Sequence, residues 1–170
     1  MQEVLAGAST RLVILRNPVM YAEGKAGSIQ RLVDLADTPL PLPLGGVNNR
    51  RSLVAVRNFA CALAAVVRAG ADGPGGIFHV HDGPALSTTE LVTTLRTALG
   101  RPARLFPIGR AAARIACKLP VLGSTARRLF GSLEVSDARF RESFGWTPEV
   151  GTRMELAAVA VQHVRRRGQP

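Results

Sequence analysis

The chain has 170 residues, 46% of them hydrophobic, and a formal net charge of +10 from 22 basic and 12 acidic side chains; this length supports one packed core rather than two. Its longest apolar run, Phe59 to Val67, is about half of what a membrane span needs, which excludes a transmembrane helix, and Met1 to Ala8 lacks the basic flank of a signal peptide, so a cytoplasmic location is expected. The arginines are scattered, one tyrosine and one tryptophan offer little stacking surface, and no nucleic-acid motif stands out, so nucleic acid is not the expected partner.

In chain order, Met1 to Ala8 reads as the last turns of a helix closed by Gly7. Leu12-Val13-Ile14-Leu15 is a short continuous apolar run, as in a parallel strand covered on both faces. Such a strand needs neighbours, and the flanking sequence supplies few. Ile29, Leu32, Val33 and Ala36 follow helical spacing, which predicts an amphipathic helix over residues 28 to 37 with Ser28 as N-cap. Pro39, Pro41 and Pro43 forbid helix and impose an extended arm, which Gly45-Gly46 reverses.

Leu53, Val54 and Val56 predict a brief strand, followed by a helix from Asn58 to Ala69 that is apolar almost all round and therefore expected to be buried. A turn at Gly73 to Gly76 leads into a strand from Ile77 to Val80. Ser87-Thr88-Thr89-Glu90 is a capping box that opens a helix through Leu91, Leu95 and Leu99, ended by Gly100. Arg104 to Pro107 reads as a small strand, Arg110 to Lys118 and Ser124 to Phe130 as helices, and Leu133 to Val135 as extended. Ser136 is expected to cap a helix ending at Gly145, and the last helix to carry Met154, Ala157, Ala158 and Val161 on one apolar face, with Arg165, Arg166 and Arg167 as a solvated terminus. Cys61 and Cys117 lack redox or metal spacing and read as buried thiols.

Few residues suggest chemistry. Arg50 and Arg51 stand just before a buried strand, where a planar guanidinium suits phosphate oxygens; a solvated arginine pair at a strand entrance is the plainer alternative. His79 and His81 share one strand face beside Asp82, but a metal needs a further ligand of defined geometry and the sequence offers only His163, so a strand end near a substrate cleft is the preferred account and no metal is expected. No serine or cysteine sits in an elbow or triad setting.

Three tracts carry a resemblance: Arg16-Asn17-Pro18-Val19-Met20-Tyr21-Ala22-Glu23-Gly24, the run Pro39 to Asn58 with its Gly45-Gly46 turn and Arg50-Arg51-Ser52, and Val135-Ser136-Asp137-Ala138-Arg139 followed by Phe144-Gly145-Trp146-Thr147-Pro148. In this order they resemble the C-terminal half of the NAD-dependent epimerase/dehydratase family, the extended short-chain dehydrogenases that act on nucleotide sugars. The match to "R-P-x-x-V-Y-G-P-G" is partial, since Asn17 replaces the first proline or tyrosine and Ala22-Glu23 replace Gly-Pro.

The resemblance implies an α/β fold: the C-terminal part of a Rossmann-type parallel sheet plus the small mixed α/β substrate-binding lobe, forming a single portion over residues 1–170. It further implies a UDP-sugar ligand, with Arg51 on the diphosphate, Arg128 as a second phosphate contact, Ser28 and Ile29 near the nucleotide base, and Asn17, Pro18 and Val19 between nicotinamide and sugar. A plain helix cap is the alternative for Ser28, and a surface arginine for Arg128. NAD(P) serves the intact family, but this sequence has no G-x-x-G-x-x-G turn between a strand and a helix. Tyr21 and Lys25 have the spacing of the family's catalytic Tyr-x-x-x-Lys, yet they follow a strand and enclose a glycine rather than sharing a helix face. The chain alone is therefore expected to bind nucleotide sugar and not NAD, and to be inactive by itself. The alternative is a non-catalytic module that pairs with a separate Rossmann half or with itself through an exposed sheet edge.

Overall fold

The computed structural model describes residues 11–24, 27–107, 109 and 123–168. The expected helices at Met1 to Ala8 and Arg110 to Lys118, together with Lys25 and Cys117, lie outside them. Six strands are described: β1 (Val13–Arg16), β2 (Val19–Tyr21), β3 (Leu42–Gly45), β4 (Leu53–Ala55), β5 (Gly76–His79) and β6 (Leu105–Pro107). The helices are α1 (Ser28–Ala36), α2 (Val56–Ala69), α3 (Thr88–Ala98), α4 (Gly123–Phe130), α5 (Ala138–Phe144) and α6 (Thr152–Arg167). The strands pair in parallel as β1 with β5, β2 with β4, and β3 with β6. Parallel pairing requires crossover segments between partners, and the helices supply them.

Two apolar clusters form the core. The larger joins Leu32, Val33 and Ala36 of α1 to Leu91 and Leu95 of α3 and Leu156 and Val159 of α6. The smaller gathers Phe78, Phe140 and Trp146 around Val54 and Ala62; there Phe78 and Phe140 meet edge to face at 5.8 Å, and Phe140 and Trp146 at 5.5 Å, a geometry favoured by the ring quadrupoles. The extended proline arm becomes β3, with Leu42 and Leu44 buried and Pro43 exposed. Gly45 lets β6 approach closely, because a Cβ there would sit 2.7 Å from the Phe106 carbonyl carbon.

Several expectations change. Ser28 is the first helical residue and Gly27 the N-cap, with no side-chain cap hydrogen bond. Helix α2 starts at Val56, directly after β4, and is not buried all round: Asn58, Ala62 and Ala65 pack inward while Leu63 and Val67 are exposed. Its sequence is apolar on two sides, but only one side faces the sheet. For the same reason α6 buries Leu156, Val159 and Ala160 rather than Met154 and Val161. Asp137, not Ser136, is the N-cap of α5. The C-terminal arginines are not simply solvated, since Arg166 donates to the Gly24 carbonyl at 3.0 Å and Arg167 to the Asp37 carboxylate at 2.5 Å. Cys61 is only part-buried, and its thiol is pushed up in pKa by a hydrogen bond with Glu149 and by burial.

Candidate functional site

A cavity of about 310 Å³ opens where β2, α1, β4, α3 and the end of α4 converge. Its floor is apolar because each of these elements turns its core stripe inward: Leu32 from α1, Leu53 from β4, Leu91 from α3. Its polar groups come from element ends, where side chains leave the core. Ser28 stands in the first turn of α1, Arg51 precedes β4, and Arg128 lies in the last turn of α4. The cavity thus brings together Val19, Ser28, Ile29, Arg51 and Arg128. Asn17 and Pro18 precede Val19 but do not line it; Pro18 is buried, and the Asn17 Oδ1 is buried without a hydrogen-bond partner among the described residues.

Arg51 is half-buried, and burial lowers its pKa. Its backbone is fixed by a reciprocal pair: its amide donates to the Leu86 carbonyl at 3.0 Å and its carbonyl accepts from the Leu86 amide at 3.0 Å. Its Nη1 donates to the carbonyls of Arg128 and Gly131, the latter at 3.2 Å. Carbonyls orient a guanidinium without neutralising it, and among the described residues no carboxylate forms an ion pair with Arg51. Arg50 differs, pointing outward to Glu134 at 3.2 Å with about half of each side chain exposed. None of the described residues lining the cavity is acidic, and a second opening of about 340 Å³ shares Arg51 and Arg128. The arrangement suits a ligand with an apolar or aromatic body and a multiply charged anionic group.

Two polar lining residues were not among the expected site residues. Arg31 lies three positions after Ser28 and so shares its helix face, a spacing that was readable. Thr88 is hidden in the capping box, whose local signature gives no hint of a cavity.

Tyr21 is 4% exposed and not part of the cavity. Its hydroxyl donates to Asp82 Oδ2 at 2.9 Å, and the same oxygen accepts from the Ala55 amide at 2.7 Å, while Asp82 Oδ1 accepts from Asn58 Nδ2 at 2.8 Å. Burial first, then the charge and hydrogen bond of Asp82, push the phenol's pKa far up. Burial also raises Asp82, against the lowering effect of its three hydrogen bonds. Tyr21 and Asp82 therefore tie β2 to the start of α2. The histidines do not face the cavity either: His81 Nδ1 accepts from the Gly83 amide at 3.2 Å, and Nε2 contacts Asp137 at 3.2 Å. No group of three or more metal-ligating side chains occurs among the described residues.

The sequence is 30% identical over 145 residues, 83% of this chain, to a curated UDP-glucose 4-epimerase of Vibrio cholerae, of which it covers 43%. In sequence and fold the chain is similar to part of the NAD-dependent epimerase/dehydratase enzymes. No family model matches it. The fold likeness extends over nearly all of the chain: a UDP-N-acetylglucosamine 4-epimerase from Bacillus cereus superposes with a TM-score of 0.72 at 15% identity, covering 98% of this chain and 52% of that one. A Thermotoga maritima UDP-glucose 4-epimerase solved with UDP-glucose gives 0.67 at 14% identity, covering 99% and 50%. A human epimerase family protein solved with NADPH gives 0.69 at 20% identity, covering 91% and 50%. The chain spans about half the length of these members of the family.

NAD(P) needs free backbone amides at a helix N-terminus for its pyrophosphate. At α3, the Ser87 amide donates to Glu90 and the Thr88 amide to Asn49, so these donors are taken. Helix α2 follows β4 with no intervening loop, and the Ala55 amide at its head donates to Asp82. At the heads of α2 and α3, therefore, these amides are engaged within the protein.

Proposed function

We propose that this sequence forms the nucleotide-sugar-binding side of an NAD(P)-dependent epimerase, dehydratase or reductase, taking a UDP-sugar and no NAD by itself. The reading rests on one observation above the others: Val19, Ser28, Ile29, Arg51 and Arg128 meet at one cavity whose charged lining groups, among the described residues, are all arginines. In this reading the diphosphate lies along Arg51 and Arg128, the base beside Ser28 and Ile29, and the sugar toward Val19, with Asn17 and Pro18 behind it on the nicotinamide side. Residues 1–170 act as one substrate-binding portion. With its single tyrosine buried against Asp82, this portion lacks a catalytic acid or base of the family's kind and is inactive without a dinucleotide-binding partner.

Calorimetric titration with UDP, UDP-glucose and NAD tests this. Saturable binding of both uridine nucleotides without saturable NAD binding is expected. Saturable NAD binding, or none by UDP, overturns it.

A second reading, a module that pairs with a separate Rossmann half or with itself, draws support from the sheets. Among the described residues each strand has a single ladder partner, although the Leu53 carbonyl of β4 also accepts from the Asp82 amide at 2.9 Å, and Leu63 and Val67 of α2 are exposed. Light scattering after size exclusion tests it: an 18.1 kDa monomer at all concentrations contradicts self-association.

A further inference from the structure

Segment 49–52 and segment 129–135 are zipped together along their length. The Arg50 amide donates to Ser132 Oγ at 3.0 Å, the Leu133 amide to the Arg50 carbonyl at 2.8 Å, and the Ser52 amide to the Leu133 carbonyl at 2.8 Å. At the end nearest the cavity, the zipper passes through one side chain. Asn49 is 6% exposed, and both ends of its side-chain amide are engaged. Its Oδ1 accepts from the Thr88 amide at 2.8 Å, and its Nδ2 donates to the Leu129 carbonyl at 3.1 Å and the Gly131 carbonyl at 2.7 Å. Thr88 Oγ1 adds a donation to Leu129 at 2.5 Å.

A helix C-terminus leaves its last carbonyls without intrahelical donors. Those of α4 are taken by Asn49, Thr88 and Arg51, while Gly131 turns the chain out so tightly that a Cβ there would meet the Arg127 carbonyl oxygen at 2.5 Å. Asparagine is suited to this position because it accepts on one side and donates twice on the other. Aspartate cannot donate, and alanine offers neither function.

We infer that Asn49 is a positioning residue: it locks the end of α4 to the start of α3 and so holds Arg128 beside Arg51 on the cavity rim, where both can meet a diphosphate. The inference deepens the binding reading above and rests on it for the ligand. Asn49 itself does not line the cavity, so it acts through the lining residues it holds in place.

The test compares UDP with uridine on wild type, Asn49→Ala and Thr88→Val, with hydrogen exchange measured over residues 123–130. Asn49→Ala should weaken UDP about tenfold, the scale of one lost charge-assisted contact, and leave uridine within about twofold. Thr88→Val, close in volume, should shift UDP in the same direction by less and serves if Asn49→Ala does not fold. Exchange in α4 should accelerate in Asn49→Ala beyond any change in α3 or α6. Equal losses for UDP and uridine, or unchanged α4 exchange, would overturn the inference. If wild type binds no UDP, the binding reading fails, whereas the exchange result still decides whether Asn49 holds α4.

Discussion

Arg51 donates through its guanidinium to the backbone carbonyl of Arg128, so the two arginines on the cavity rim are joined by a contact that orients one of them and neutralises neither. A positive charge that is half-buried and unpaired is costly to keep unless something arrives to meet it. Arg51→Lys keeps the charge but loses the planar fork. It should weaken UDP by about tenfold while leaving folding intact, measured by calorimetry alongside a urea melt.

Ser28 supplies a cleaner separation of binding from stability. Because Gly27 is the N-cap and Ser28 makes no capping hydrogen bond, Ser28→Ala should change stability by no more than about 0.5 kcal/mol in urea denaturation. It should nevertheless reduce uridine affinity, since Ser28 lines the cavity. A large loss of stability would restore the capping role.

Tyr21→Phe probes the buried network. Removing the hydroxyl takes one of three donors from Asp82 and should cost about 1–3 kcal/mol in unfolding free energy, with UDP affinity retained. Loss of UDP binding in a well-folded variant would place Tyr21 at the site instead.

Asp37 sets an acid limit. Burial raises its carboxyl, but hydrogen bonds from Arg101 and His163 and the charges of Arg101 and Arg167 outweigh this and hold it below the usual carboxylate range. A lowered folded value means that the stabilisation is fully present above the unfolded value of about 4 and is lost as pH falls through the folded value. Asp37→Asn should therefore be less stable than wild type at neutral pH, and the gap should close as the pH drops below about 4. A gap independent of pH would contradict the assignment.

How much of this was readable depends on the range of the interaction. The Ser87–Glu90 box is complete, with Glu90 accepting from the Ser87 amide at 2.8 Å and Ser87 Oγ accepting from the Glu90 amide at 3.1 Å, because both partners lie within one turn. The proline arm and the parallel character of β1 followed from backbone chemistry and a continuous apolar run, whereas the partner of β1, β5, did not. Asn49 was invisible because its partners lie 39, 80 and 82 residues away, and nothing local marks it. Asp82 stood beside two histidines and invited a metal reading, while its actual partners, Tyr21 and Asn58, belong to other elements. In α2 and α6 the helix was legible but the buried face was not, since alanine-rich sequences present two apolar sides and only packing chooses between them.

The most direct test of the account is a paired substitution at adjacent arginines. Arg50 is exposed and pairs with Glu134, whereas Arg51 faces the cavity. Calorimetry with UDP should show Arg51→Ala losing most of the affinity, by about tenfold to a hundredfold, and Arg50→Ala within about twofold of wild type. Equal effects from the two substitutions would mean that the pair is a solvated basic patch and that the cavity does not hold a diphosphate.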